Sequence, residues 1–202
     1  MSNEKNSVSP SEMEPNDLPD VPAFQDEFTR DFLQSTEQTK EGYYPFLSGS
    51  DSFTMDFPED MTVNKRSYEI GPENRSEFIT MSHTDTQREA FLNQRMSYIS
   101  FLTDPENSRE RMRSSSDKNL EFNEIETEHK EQHLEIAEYE NDSLHVTAAL
   151  IWNENNQGIS IFSHIDCRKD LNENQCAESK QTQKDAVIEM LKSIQFTEKE
   201  SE

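Results

Sequence analysis

The densest apolar pattern in this chain runs from Ser143 to Phe196 and reads strand, turn, strand, loop, helix. Leu144, Val146, Ala148, Leu150 and Trp152 hold alternate positions, and past the turn-forming residues 153–158 the odd positions Ile159, Ile161 and Ile165 take over. Side chains alternate between the two faces of a strand, so a turn that sets Trp152 opposite Ile159 puts both groups on one face of a hairpin. His145, His164 and Asp166 then share the opposite face. Ala186, Val187, Met190, Leu191 and Ile194 recur at three- and four-residue spacing, a helical stripe suited to cover a sheet.

Upstream the pattern is more broken. Pro22 opens a helix in which Phe24, Phe28, Phe32 and Leu33 mark one face up to about Thr39. The aromatic cluster Tyr43, Tyr44 and Phe46 precedes a strand with Phe53, Met55 and Phe57 alternating; Pro58 ends it, and Met61 and Val63 continue it. Residues 67–70 and 77–83 read as short strands around Gly71-Pro72. Leu92, Met96, Ile99 and Leu102 predict a helix within 84–103, with a strand at 96–102 as the competing reading. Residues 104–118 hold only Met112 as an apolar side chain and are expected to form a mobile loop. Leu120, Phe122 and Ile125, then Leu134, Ile136 and Ala137, mark two further strands.

Strands joined in sequence by turns call for an antiparallel meander covered by helices, an α/β (α+β) fold class. Residues 1–21 lack any period and read as a disordered acidic leader or tether, followed by a single domain over 22–198. The net charge of −23 changes the picture most. It argues against nucleic-acid binding, which needs a basic face, and against electrostatic docking of the chain to anionic lipid. No apolar run approaches the ~20 residues needed to cross a bilayer. No signal peptide is recognised, and a mature form from which one was removed would look the same.

Few residues carry candidate chemistry. Cys167 and Cys176 flank a polar loop, and their surroundings favour a disulfide, worth roughly 2–3 kcal/mol for a loop of this size, over two free thiols. His145, His164 and Asp166, on one face of the expected hairpin, are a candidate metal site. His129 and His133 would suit zinc if they lay on a helix, but the order His-x-Glu-x-His lacks the base position of a zincin. Arg109, Arg111 and Arg113 form the one basic cluster, and Tyr43, Tyr44 and Phe46 are a candidate binding groove. With four glycines in the chain there is little from which to build a phosphate cradle, so no cofactor is expected.

Two fragments bear a resemblance. The strand from Phe53 to Val63, with its aromatic-Pro end at Phe57-Pro58, and the closing Ser193-Ile194-Gln195-Phe196 resemble the PsbP-like family over about residues 43–196. That family includes the photosystem II extrinsic subunit, Ran-binding relatives and bacterial lipoproteins of unknown role. Where relatives often carry Gly-Trp, this chain has Asp60-Met61. The resemblance implies a sheet sandwiched between helices and does not transfer a function. The leader resembles a lipoprotein tether. The resulting expectation is a non-enzymatic, extracytoplasmic, monomeric domain that binds a protein or envelope component and meets the membrane only through an N-terminal lipid tether. Two alternatives stand beside it: a metal-binding protein or metal-dependent enzyme using His145, His164 and Asp166, and a cytosolic protein-binding adaptor.

Overall fold

The computed structural model describes residues 9–85, 87–127, 129–141 and 144–198. After two 3-10 turns, Pro10–Glu12 and Pro15–Asp17, come two single-turn helices, α1 (Pro22–Gln25) and α2 (Glu27–Arg30), broken at Asp26, whose carboxylate caps α2 through the Thr29 backbone N–H. The long helix expected up to Thr39 is therefore confined to this segment. Strands β1 (Tyr43–Leu47) and β2 (Phe53–Pro58) pair antiparallel, and the terminal β11 (Gln195–Phe196) adds to β2 to complete a three-stranded sheet.

The larger sheet holds β3 (Met61–Val63), β4 (Glu69–Ile70), β5 (Ser76–His83), β6 (Ala90–Ile99), β7 (Asn123–Ile125), β8 (Gln132–Asn141), β9 (Leu144–Asn153) and β10 (Gly158–Cys167), with spatial order β3-β5-β6-β10-β9-β8-β7 and β4 beside β5. The strand expected to continue past Pro58 in fact changes sheet at Glu59-Asp60. Two long helices flank the large sheet. Helix α3 (Pro105–Ser116) packs on β9 and β10 from one side, and α4 (Glu173–Ser193) lies on the other against β10, β6 and β2. The antiparallel α+β architecture is thus the one expected.

Three expectations need correction. Residues 90–99 are a strand: Ala90, Leu92, Gln94, Met96 and Tyr98 all face inward with period two, and the polar Gln94 in that row disguised it. The segment expected to be a mobile loop at 104–118 holds the helix α3, capped by Asp104 and started by Pro105. The leader is not all tether, since Pro10 and Leu18 are buried and Met13 packs against the core; residues 1–8 lie outside the described part.

The central hairpin forms, but one residue out of the expected register. Gly158 pairs with Trp152 and Ile159 with Ile151. Three residues, 154–156, make the connection: Asn156 takes a left-handed backbone (φ 60°), and Asn153 Oδ1 accepts from the N–H groups of Asn155 and Gln157. A one-residue shift exchanges faces. Ala149 and Ile151 therefore join Ile159, Ile161 and Ile165 under α4, while Ala148 and Leu150 turn to α3 with Met112 and Leu120. Strand β9 is apolar on both sides because both sides are covered.

Candidate functional site

The register shift dissolves the expected metal site. His145 shares the α4 face with Ile165, whereas His164 and Asp166 lie on the opposite one. His145 is enclosed by carboxylates, with Nδ1 2.7 Å from Glu140 Oε1 and Nε2 3.1 Å from Glu138 Oε1, and those acids are held in turn by Lys180 and Lys184 of α4. His164 is half-buried, and burial together with the nearby Arg95 holds its pKa below the usual histidine range. Among the described residues no three His, Cys, Asp or Glu side chains converge as metal ligands would.

The other sequence candidates are absorbed by the fold. His133 stacks on Trp152 at 4.9 Å from the end of β8, and His129 sits in the turn before it, so the two do not share a helix. Arg109 makes a bidentate pair with Glu135 and also reaches Glu106, and Arg113 binds Glu106 and the Leu120 carbonyl; these two arginines lock α3 to its surroundings. Tyr44 and Phe46 are core residues rather than groove lining, and only Tyr43 borders a cavity. Cys167 and Cys176 form a disulfide that joins the end of β10 to the first turn of α4. A groove of about 590 Å³ lies over that bridge, and of the cations that line it Arg168, Lys180 and Lys184 already carry carboxylate partners, which leaves Lys169.

A smaller cavity of about 230 Å³ is better equipped. It opens where the chain crosses from the small sheet to the large one, beneath α4. Leu92, Val187 and Met190 give it an apolar floor, and Tyr43 and Glu59 border it. His83, at the end of β5, is 4% exposed and accepts the Leu92 backbone N–H on Nδ1 at 3.2 Å, which fixes the proton of the neutral ring on Nε2. That nitrogen faces Asp60 Oδ1 at 3.6 Å, and the other Asp60 oxygen binds Arg88 at 2.7 Å. Burial lowers the His83 pKa to about 4; Asp60 and Asp85 oppose the shift and Arg88 adds to it.

Gln94, also lining the cavity, is fully buried; its Nε2 donates to Ser163 Oγ at 2.8 Å and its Oε1 receives no hydrogen bond among the described residues. A buried carbonyl without a donor costs about 1–3 kcal/mol, so a water or a ligand donor that reached it from the cavity would be stabilising. The potential at the mouth is negative: after burial, Asp60, Glu189 and Asp56 raise the pKa of Tyr43. Of this constellation only Tyr43 was read from the sequence, as part of an aromatic groove; His83 appeared only as a strand end and Asp60 only as a departure from Gly-Trp.

Comparison with known proteins gives a family. Residues 19–195 match the sequence profile of the family described as "Putative lipoprotein YvcA", in agreement with the PsbP-like resemblance. The protein of that description from Bacillus subtilis (strain 168) is 50% identical over 58 residues, 29% of this chain and 24% of its own length. The match thus spans about a quarter of that relative. Two solved structures share low similarity. One from Bacteroides thetaiotaomicron VPI-5482 has 12% identity and TM-score 0.41, covering 79% of this chain and 50% of its own. The other, LpqN involved in cell envelope biogenesis of Mycobacterium tuberculosis, has 11% identity and TM-score 0.40, covering 77% and 91%. Among the described residues no helix is long and apolar enough to cross a membrane.

Proposed function

We propose, from the premise that the chain belongs to the YvcA lipoprotein family, that it is an envelope-tethered, non-catalytic domain binding a small ammonium-bearing ligand in the His83 cavity. The lipoprotein description implies an envelope or extracytoplasmic location, and the disulfide suits an oxidising compartment. The binding reading rests on one observation, the unpartnered Oε1 of buried Gln94 beside the cavity. A donor reaching it would be stabilising, and Glu59 at the mouth, which has no cationic partner among the described residues, favours a cationic one, Asp60 being already held by Arg88 of the same lining. At about 230 Å³ the space lies below the usual range for drug-sized ligands and suits a short aliphatic arm over Leu92, Val187 and Met190. Catalysis by His83 is disfavoured because the lone pair of its neutral ring is occupied by the Leu92 N–H.

Thermal shift with isoamylamine, leucine and isocaproate tests this. The amine and the amino acid are expected to raise Tm and isocaproate is not, since binding to the native state alone stabilises by RT ln(1 + [L]/Kd). Gln94→Met combined with Ser163→Ala removes the unpaired carbonyl and its partner, and is expected to abolish the shift while leaving the unliganded Tm equal or higher. An equal response to isocaproate, or an intact response in the variant, overturns the assignment.

A further inference from the structure

We infer that the Arg88 side chain is the wall that limits how long a ligand the His83 cavity accepts, an inference that rests on the binding reading above. A second recess of about 280 Å³ lies beside that cavity, lined by Arg88, Glu89, Ala90, Ser179, Thr182 and Gln183. Arg88, Thr182 and Gln183 belong to both linings, so the two spaces meet at these three residues. Along α4 the cavity is bounded by residues between Thr182 and Met190, and the recess by residues between Ser179 and Gln183. The two therefore follow one another beneath a single helix, over about 16.5 Å at 1.5 Å per residue. Thr182 and Gln183 are part of that common roof. Arg88 comes from the opposite bank, the connection between β5 and β6, and is the one shared residue from that side.

Arg88 is fixed at both ends. Its guanidinium binds Asp60 Oδ2 at 2.7 Å. Arg168 donates its backbone N–H to the Glu89 carbonyl at 2.8 Å and a guanidinium N–H to the Gln87 carbonyl at 2.5 Å, while the Ser179 hydroxyl donates to Glu89 Oε2 at 2.5 Å. A side chain held at its base and its tip stands as a partition. An aliphatic arm that lies over Leu92, Val187 and Met190 and runs along α4 toward Ser179 meets Arg88 once it has filled the cavity. Each further methylene must then stay in water or break the pair with Asp60. The same pair sets the charge at the mouth. Arg88 neutralises Asp60, and Lys40, which lies over the Tyr43 ring, is shared by Asp56 and Glu189, so Glu59 is the acid left for a ligand's ammonium. Removing Arg88 alters charge and length in separable ways. Freeing Asp60 strengthens every amine by one factor, whereas joining the recess strengthens only those long enough to enter it.

Titration calorimetry of the full chain with n-butylamine, n-hexylamine and n-octylamine tests this. The quantity read is the ratio of octylamine to butylamine affinity, in which a charge factor common to all amines cancels. Arg88→Ala is expected to raise that ratio about tenfold over the native value; four fully buried methylenes would give ~250-fold, and Glu89 and Ser179 keep the recess partly polar. Arg88→Lys, which keeps the bulk and can still reach Asp60, is expected to leave the ratio at its native value. A ratio in Arg88→Ala equal to the native one, or an equal rise in Arg88→Lys, overturns the inference and leaves the His83 cavity standing as a binding site. Failure of all three amines to bind either the native chain or Arg88→Ala overturns the binding reading itself, and the inference with it.

Discussion

Acid should loosen this domain through His83, and the sign and size follow from its surroundings. The ring is neutral in the native state, with a pKa lowered from 6.5 to about 4 chiefly by burial. The unfolded chain, with an ordinary histidine, takes up a proton first as pH falls. Between pH 6.5 and pH 4 the unfolded state binds more protons, so stability is complete above 6.5 and declines as pH drops through that window. At 1.36 kcal/mol per unit the ceiling is about 3 kcal/mol, with no further loss from this group below pH 4. His164 is shifted in the same direction and adds to the slope, so the measurement is a difference. Urea unfolding at pH 7.5, 6.5, 5.5 and 4.5 would be compared between the native chain and His83→Asn, whose side-chain oxygen can still accept the Leu92 N–H. The variant is expected to lose most of the acid sensitivity. Asp60→Asn should steepen it, because Asp60 opposes the shift, and Arg88→Gln should lessen it. Superimposable pH profiles for the native chain and His83→Asn would refute the reasoning.

Two other sites give expectations of comparable size. Glu77 is a buried carboxylate whose oxygens accept from the Gly49 and Ser50 backbone N–H groups, the Ser50 hydroxyl and the Tyr68 hydroxyl; Glu77→Gln turns an amide N–H₂ against two of these donors and should cost about 2–3 kcal/mol in urea unfolding, while a loss under 0.5 would show the network to be dispensable. Reducing the Cys167–Cys176 bridge should cost at most about 3 kcal/mol, read as a lowered urea midpoint that Cys167→Ser with Cys176→Ser reproduces. Titration of the chain as isolated from its own cell should find no reactive thiol, and two would remove the support for an oxidising compartment.

Legibility differed from segment to segment for physical reasons. The closing hairpin and the α4 stripe were visible because apolar side chains there are both dense and periodic. The hairpin register was not, because β9 is apolar at nearly every position from Val146 to Ile151, so periodicity cannot choose between faces that are both buried. The choice fell to Asn153 and Asn156 in the turn. Helix α3 was missed because its hold on the domain is a single buried apolar side chain, Met112, with Arg109 on Glu135 and Arg113 on the Leu120 carbonyl, contacts that leave no apolar stripe in the sequence. The cavity was missed for a different reason. Asp60, His83, Arg88 and Gln94, with Val187 and Met190, come from separate segments that meet only when β5, β6 and α4 assemble. Gln94 left a trace, a polar residue in an otherwise apolar inward row, and Tyr43 was flagged, but as part of an aromatic groove with Tyr44 and Phe46.

The folding back of residues 9–21 shortens whatever leash the domain hangs from. Pro10 and Leu18 sit in the protein surface rather than in solvent, and Met13 rests on the core. Fully extended, that stretch would lend about 45 Å of travel at 3.3–3.6 Å per residue. Docked, it lends almost none, so on the tethered reading proposed above residues 9–21 add bulk to the domain and no reach to the leash.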